Sequence, residues 1–244
     1  LAFLYLPILI MALMSFNDSP FYRLPMRFST KWYAALAQNA DLTRAAWTSL
    51  WIACLTTVIA TGLGTLAALG LFRHDFRGKR LMQVLLFPPI AIPWLITGTA
   101  MLVFFFFIGL GRGSPAVLLG HVALALPYVV IVVSARLRSF DPALEEAARS
   151  LGANGAQVVW LVTLPWIAPG VIAGALFAFA VSFDQFVVSY FLSLPGDTTL
   201  PVEIYSSIRK GFTPEVNAVS TLVITVSMGL MLLVARFFRF GGER

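Results

Sequence analysis

The sequence predicts an all-α polytopic membrane protein with six transmembrane helices, and three observations carry that prediction. Apolar residues make up 59% of the 244 residues and charged residues only 11%, against roughly 25% charged in soluble domains. The apolar residues gather into runs almost free of charge, each comparable to the roughly 20 residues a helix needs to cross the hydrocarbon. The basic residues fall in short segments between those runs, where they orient spans rather than form a stripe for nucleic acid.

The runs are Leu1 to Asn17, Ala45 to Phe72, Leu81 to Gly111, Gly113 to Ala135, Ser150 to Phe183 and Val216 to Ala235. The first opens inside an apolar stretch with no basic flank, and no small-x-small cleavage pattern follows, so it reads as a span whose beginning lies upstream rather than as a signal peptide. In the second, Ala60, Gly64 and Ala68 are spaced for close helix packing, as are Gly170 and Gly174 in the fifth. Pro88, Pro89 and Pro93 cannot all sit inside a regular helix, so they break the cytoplasmic end of the third. His121 lies in the fourth run, where a lone histidine more naturally bonds a neighbouring helix than relays protons. The fifth span is expected to begin near Pro165 and to run through Asp184 to about Leu194. Residues 1–244 thus form one transmembrane domain with a polar interruption at about 141–165.

An even number of spans puts both termini on one side. With cytoplasmic termini, the cytoplasmic segments hold Arg73, Arg77, Lys79, Arg80, Arg136, Arg138, Arg149, Arg236, Arg239 and Arg244. The opposite side holds Arg23, Arg27, Lys31, Arg44, Arg112, Arg209 and Lys210. The dense cluster RHDFRGKR lies in a short loop close to span ends, where the positive-inside rule counts most, and it places the interruption on the cytoplasmic face.

That interruption, LEEAARSLGANGAQVVWLVTLP from Leu144 to Pro165, has its own local logic. Asp141 and Pro142 suit the start of a helix, since the carboxylate accepts orphan donors and proline loses nothing in a first turn. Leu144, Ala147, Ala148 and Leu151 share one face, and Glu145 and Arg149 form an i,i+4 pair on another. Gly152 follows as a C′ residue, Asn154 caps a second short helix through Val162, and Pro165 interrupts the chain as the next span begins. Interfacial anchors carry bulky aromatics opposite Lys or Arg. A face of alanines beside a carboxylate suits docking into a groove on another protein instead.

The sequence excludes several chemistries. One cysteine, Cys54, can form neither an internal disulfide nor a thiolate metal cluster. Two histidines, His74 and His121, do not make a metal site, and neither a G-x-S-x-G elbow nor an H-E-x-x-H pair occurs. RGKR lacks the spacing and the hydroxyl of a nucleotide-binding loop. Asp184 is the one acidic residue inside an expected span, and an intramembrane carboxylate is costly enough to imply function. With Phe177 and Phe191 it would form a substrate pathway in which carboxylate and ring faces attract an ammonium group.

Glu146-Ala147-Ala148, three residues, Gly152, nine residues and then Val162-Thr163-Leu164-Pro165 resembles the EAA motif of bacterial ABC importer permeases. Val162 replaces the usual isoleucine. The six-span plan and the stretch from Ser182 to Leu222 resemble the polyamine branch, in particular the second permease subunit of spermidine/putrescine importers. Related permeases for opines, 4-aminobutyrate, thiamine or ferric iron share much of this pattern. The resemblance implies the type I ABC importer permease fold in a bacterial inner membrane. It also implies a coupling helix that docks on an ATPase through Glu145, Glu146, Ala147, Ala148, Gly152, Leu164 and Pro165. Implied partners are an ABC ATPase dimer, a second permease subunit, an extracytoplasmic solute-binding protein and membrane lipid, with no nucleic acid. The chain itself would bind no cofactor and catalyse nothing, ATP and Mg belonging to the ATPase. An ion-coupled secondary transporter using Asp184 and His121 is the rival class, but such folds are built from repeats with paired broken helices, and no repeat is evident.

The topology is checked with single cysteines at Ser19 and Gly78 in a Cys54-free background. An impermeant thiol reagent applied to intact cells should label position 19 and spare position 78; labelling of position 78 alone would invert the assignment.

Overall fold

The computed structural model describes residues 2–19, 24–86, 88–210 and 215–241, without the side chains of 2, 4 and 230–241. Among the described residues there is no strand, only two isolated bridges, Asn17 to Phe28 and Leu194 to Asp197. The chain divides into two compact units, one of residues 1–47 and 200–244 and one of residues 48–199.

The six apolar runs appear in order. Three helices are long and apolar enough to cross a membrane: Ala40–Arg73, Ser114–Leu137 and the continuous stretch Gly155–Phe183. A bent pair, Lys79–Ala91 with Trp94–Phe107, is long and apolar enough only when its two helices, 109° apart, are taken together. Shorter apolar helices, Tyr5–Met14 and Glu215–Gly229, occupy the first and sixth runs. The proline cluster acts as expected: the helix stops at Ala91, and a new one begins after Pro93.

In the first unit, α1 (Ala2–Met14), α2 (Lys31–Gln38) and α12 (Leu200–Lys210) pack on α13 (Glu215–Gly241). Polar side chains order the segment after α1. The Trp32 indole donates to the Asn17 carbonyl at 2.6 Å, Ser15 and Tyr33 hydroxyls meet at 2.7 Å, and Lys31 pairs with Asp18 at 2.5 Å. Asn39 Oδ1 accepts from Leu42 N–H at 3.1 Å, capping α3 (Ala40–Arg73), while its amide donates to Glu215 at 3.1 Å.

The second unit contains α4 (Lys79–Leu85), α5 (Pro88–Ala91), α6 (Trp94–Phe107), α7 (Ser114–Leu137), α8 (Ala143–Ser150) and α9 (Gly155–Val158). A π turn (Val159–Thr163), α10 (Leu164–Phe183) and α11 (Val187–Leu192) complete it. One core cluster joins Ala60 and Ala68 of α3 to Ala125, Val129 and Val133 of α7 and to Ile167 and Ala178 of α10. A second joins Ile52, Phe105, Val117, Leu124, Val188 and Leu192. The small residues act as their spacing predicts. A methyl group on Gly64 would lie 2.7 Å from Val129 Cγ1, one on Gly174 3.2 Å from the same atom, and one on Gly170 2.9 Å from Arg136 Cβ.

Two sequence expectations require correction. The fifth span does not run through Asp184 to Leu194: α10 ends at Phe183, Asp184 to Phe186 are non-helical, and α11 is a separate helix. Hydrogen bonds between His121 and serines on both sides of the break hold it, and no local sequence signal does. Nor does Pro165 interrupt the helix begun at Gly155. In the π turn the Leu164 N–H bonds the Val159 carbonyl five residues back, and this wider turn accommodates a proline within the first turn of α10.

Gly64→Ala should destabilise the protein by about 1–3 kcal/mol, because the β-branched Val129 cannot swing away from the added methyl. Gly62→Ala, whose methyl meets nothing within 4 Å, should not. Thermal unfolding in detergent reads both, and Val129→Ala should relieve the Gly64→Ala defect.

Candidate coupling elbow and membrane carboxylate

The polar interruption folds as a helical elbow. Asp141 Oδ1 accepts from Ala143 N–H at 2.9 Å, so the aspartate satisfies an orphan donor of α8 as its sequence position suggests. At the other end the Ala153 N–H bonds the Ala148 carbonyl at 3.1 Å and the Gly152 N–H bonds the Arg149 carbonyl at 2.9 Å, the Schellman pattern. Gly152 sits at φ +90°, where L side chains are strained, although space around it is open. Its requirement is therefore conformational. Asn154 then caps α9 through a reciprocal pair: its side chain accepts from Gln157 N–H at 2.9 Å, and Gln157 Oε1 accepts from Asn154 N–H at 2.8 Å.

The elbow's outer face is largely apolar. Leu144, Glu146 and Ala147 are exposed, and Leu151 is 90% exposed beside the Gly152 turn. Ala148 and Leu164 are half-buried, and Pro165 is exposed. Glu146 directs its carboxylate into no ion pair among the described residues. Glu145 behaves differently from its neighbours in the motif: its side chain is 13% exposed and turns inward.

There Glu145 meets Arg73, the last residue of α3, and Thr163, the last residue of the π turn. The Arg73 guanidinium donates from Nη2 to Glu145 Oε1 and, at 2.8 Å, to the Thr163 hydroxyl. Thr163 donates to Glu145 Oε1 at 2.7 Å, and Arg149 reaches Oε2 at 3.5 Å. The expected Glu145–Arg149 pair thus exists but is the outer and longer of the carboxylate's contacts. Burial alone would raise the Glu145 pKa; the Thr163 hydroxyl, the Arg73 guanidinium and Arg149 outweigh it and hold the carboxyl below its ordinary value. Sequence reasoning missed Arg73 and Thr163. The available signal was an arginine closing an apolar run within reach of a paired glutamate.

The other candidate centre surrounds the α10–α11 break. His121, 1% exposed, accepts or donates at both ring nitrogens, Nδ1 with Ser182 Oγ at 2.8 Å and Nε2 with Ser189 Oγ at 2.9 Å. Ser189 gives its own proton to the Gln185 carbonyl at 2.8 Å, so Nε2 carries the ring hydrogen and donates to Ser189. Nδ1 then accepts from Ser182. A neutral imidazole satisfies every partner, which is the packing role expected of it.

Asp184 caps the C-terminus of α10 and is exposed, and among the described residues its carboxylate makes no hydrogen bond or ion pair. Two aromatic pairs flank it in sequence, Phe179 stacked on Phe183 at 5.6 Å and Phe186 against Tyr190 at 5.6 Å. Phe177, 52% exposed, lies two helical turns before Asp184 on the same face of α10. Phe191 belongs to α11, beyond the break, and packs toward Gly98 of α6, so it does not continue the face of α10 that carries Phe177 and Asp184. A carboxylate at the negative end of a helix is unfavourable unless a cation joins it.

Residues 60–240 match the family described as "Binding-protein-dependent transport system inner membrane component". The chain is 38% identical over 238 residues to the spermidine/putrescine transport system permease protein PotC of Escherichia coli (strain K12), covering 96% of this chain and 90% of that protein. It is 37% identical over 249 residues to the putrescine transport system permease protein PotI of the same strain, covering 99% and 88%. Its fold is similar to that in the crystal structure of a bacterial ABC transporter involved in the import of the acidic polysaccharide alginate. The TM-score is 0.77 at 19% identity, over 99% of this chain and 91% of that one.

Because the folded pKa of Glu145 is depressed, its stabilisation is fully present above the ordinary value of 4.5 and is lost as pH falls through the folded value. Thermal unfolding below pH 4.5 should therefore show an acid limb, and Glu145→Gln should lower stability at pH 7 while flattening that limb.

Proposed function

The chain belongs to the binding-protein-dependent transport system inner membrane component family, with the fold of type I ABC importer permeases, and we propose that it carries a small cationic amine such as a polyamine. It is a bacterial membrane protein and a transport subunit. The observation that carries the substrate reading is Asp184: an exposed carboxylate, unpaired among the described residues, at the C-terminal end of a helix and flanked by aromatic pairs. An ammonium group there gains charge attraction from the carboxylate and helix end and cation–π attraction from the rings. The names of the relatives, spermidine/putrescine and putrescine permeases, support the same chemistry.

The proposed assembly follows from the elbow. An exposed apolar face bearing Leu144, Ala147 and Leu151, edged by Glu146 and aimed by the Gly152 turn, suits a groove on a separate ATPase subunit. ATP and Mg would be bound there and not by this chain. A second permease subunit would complete the pathway, and an extracytoplasmic solute-binding protein would deliver the amine. The alginate transporter has also been solved in complex with a periplasmic protein. The elbow and both termini would lie in the cytoplasm. ATP-driven closure of the ATPases would move the two elbows and rock the spans between inward- and outward-open states. Nothing in this scheme asks the chain for a catalytic residue.

Uptake of labelled putrescine into vesicles holding the whole complex tests the reading. Wild type should import it only with ATP. Asp184→Asn should leave the complex assembled and lower uptake about tenfold, the effect of adding about 1.4 kcal/mol to the transport barrier, and Asp184→Glu should retain part. Unchanged uptake by Asp184→Asn, or loss of assembly, would give the carboxylate a structural role.

A further inference from the structure

The contacts of Glu145 leave a question that docking does not answer. The residue lies inside the sequence segment expected to meet the ATPase, yet its carboxylate faces the chain's own interior. Thr163, between Val162 and Leu164 of the same motif, is 1% exposed. Thr163 is out of a partner's reach, and little of the Glu145 side chain is left for one. Both converge on one nitrogen of Arg73.

These three residues come from three elements: the end of α3, the first turn of α8 and the turn leading into α10. The Thr163 hydroxyl completes a triangle, accepting from Arg73 Nη2 at 2.8 Å and donating to Glu145 Oε1 at 2.7 Å. Arg73 is 21% exposed, and its Nε is buried with no hydrogen-bond partner among the described residues. A partly buried ion pair whose arginine is incompletely satisfied is a poor device for stability alone, since well-packed apolar side chains would serve as well. What it adds is direction and mutual dependence, because the contacts that Nη2, Oε1 and the hydroxyl share last only while all three groups stay in place.

We infer that Arg73, Thr163 and Glu145 form an internal clamp that makes the elbow, the end of α3 and the start of α10 move as one piece, with Arg73 as the positioning residue that transmits elbow motion to the spans. The inference rests on the permease reading above. Force delivered to the exposed face of α8 would otherwise be lost in the joints on either side: Ser139 to Pro142, and Gly152 to Asn154. The clamp bypasses the second joint, fixing α8 directly to the turn beyond it, and extends the rigid piece to α3.

The test uses the complete complex, reconstituted with the second permease, the ATPases and the solute-binding protein. Arg73→Gln keeps a donor and much of the side-chain length. It should retain the ATPases on copurification and leave the KM for putrescine unchanged. Maximal uptake should fall about tenfold, and ATP hydrolysis should lose its response to loaded binding protein. Glu145→Gln should act alike, and the double variant should be no worse than the more affected single one, because both break the same triangle. Thr163→Val, nearly the same shape, should weaken coupling in the same direction, and Arg73→Lys should restore part of it. Wild-type coupling in Arg73→Gln, multiplied defects in the double variant, or loss of the ATPases from the complex would each overturn the clamp. If Arg73→Gln fails to reach the membrane, Thr163→Val decides: unchanged coupling there overturns the inference. A wild-type complex that imports some other solute removes the amine reading and leaves the clamp intact, since the hydrolysis response reads it without reference to substrate.

Discussion

Helices that meet in lipid have little hydrophobic effect to press them together, so they must approach closely enough for dispersion to hold them. In this chain Val129 marks that approach. Gly64 of α3 and Gly174 of α10 present bare backbone to the same valine methyl, and Gly170 does the same for the stem of Arg136. The rest of the second unit follows from this contact. With α7 held against both neighbours, His121 lies within reach of Ser182 and Ser189, and Arg136 lies over the Trp166 ring at 4.2 Å. The start of α10 and the end of α3 are brought together on the side where the elbow hangs.

Much of this was legible in the sequence, because lipid imposes simple rules. A span must be apolar and long, so charge-free runs located all six segments, including the one the prolines divide. The elbow was legible for a different reason. Its turns depend on residues whose side chains or lack of them act on adjacent backbone, and Asp141, Gly152 and Asn154 each do locally what their positions imply. Close-packing glycines at four-residue spacing also declared their partners' proximity, though not which valine they would meet.

What escaped the sequence was fixed by contacts distant in the chain. The break after Phe183 lacks glycine and proline; it is held by a histidine about 60 positions earlier whose two nitrogens bond serines on both sides. Glu145 was paired with Arg149 because i,i+4 neighbours can be counted, whereas Arg73 is 72 residues away and comes closer. The π turn has no compositional mark at all. In each case a polar group removed from water takes the best partner the fold supplies, and local spacing is blind to that choice.

The π turn also sets an angular phase. It holds one residue more than an α turn, and successive residues of an α-helix are about 100° apart around the axis. Everything after Thr163 is therefore rotated by about 100° from where an uninterrupted count beginning at Gly155 would put it. A helical wheel drawn straight through from Asn154 misassigns the faces of α10. The azimuth at which Phe177 and Asp184 leave that helix is thus chosen at the elbow, some twenty residues before the carboxylate, by a single surplus residue.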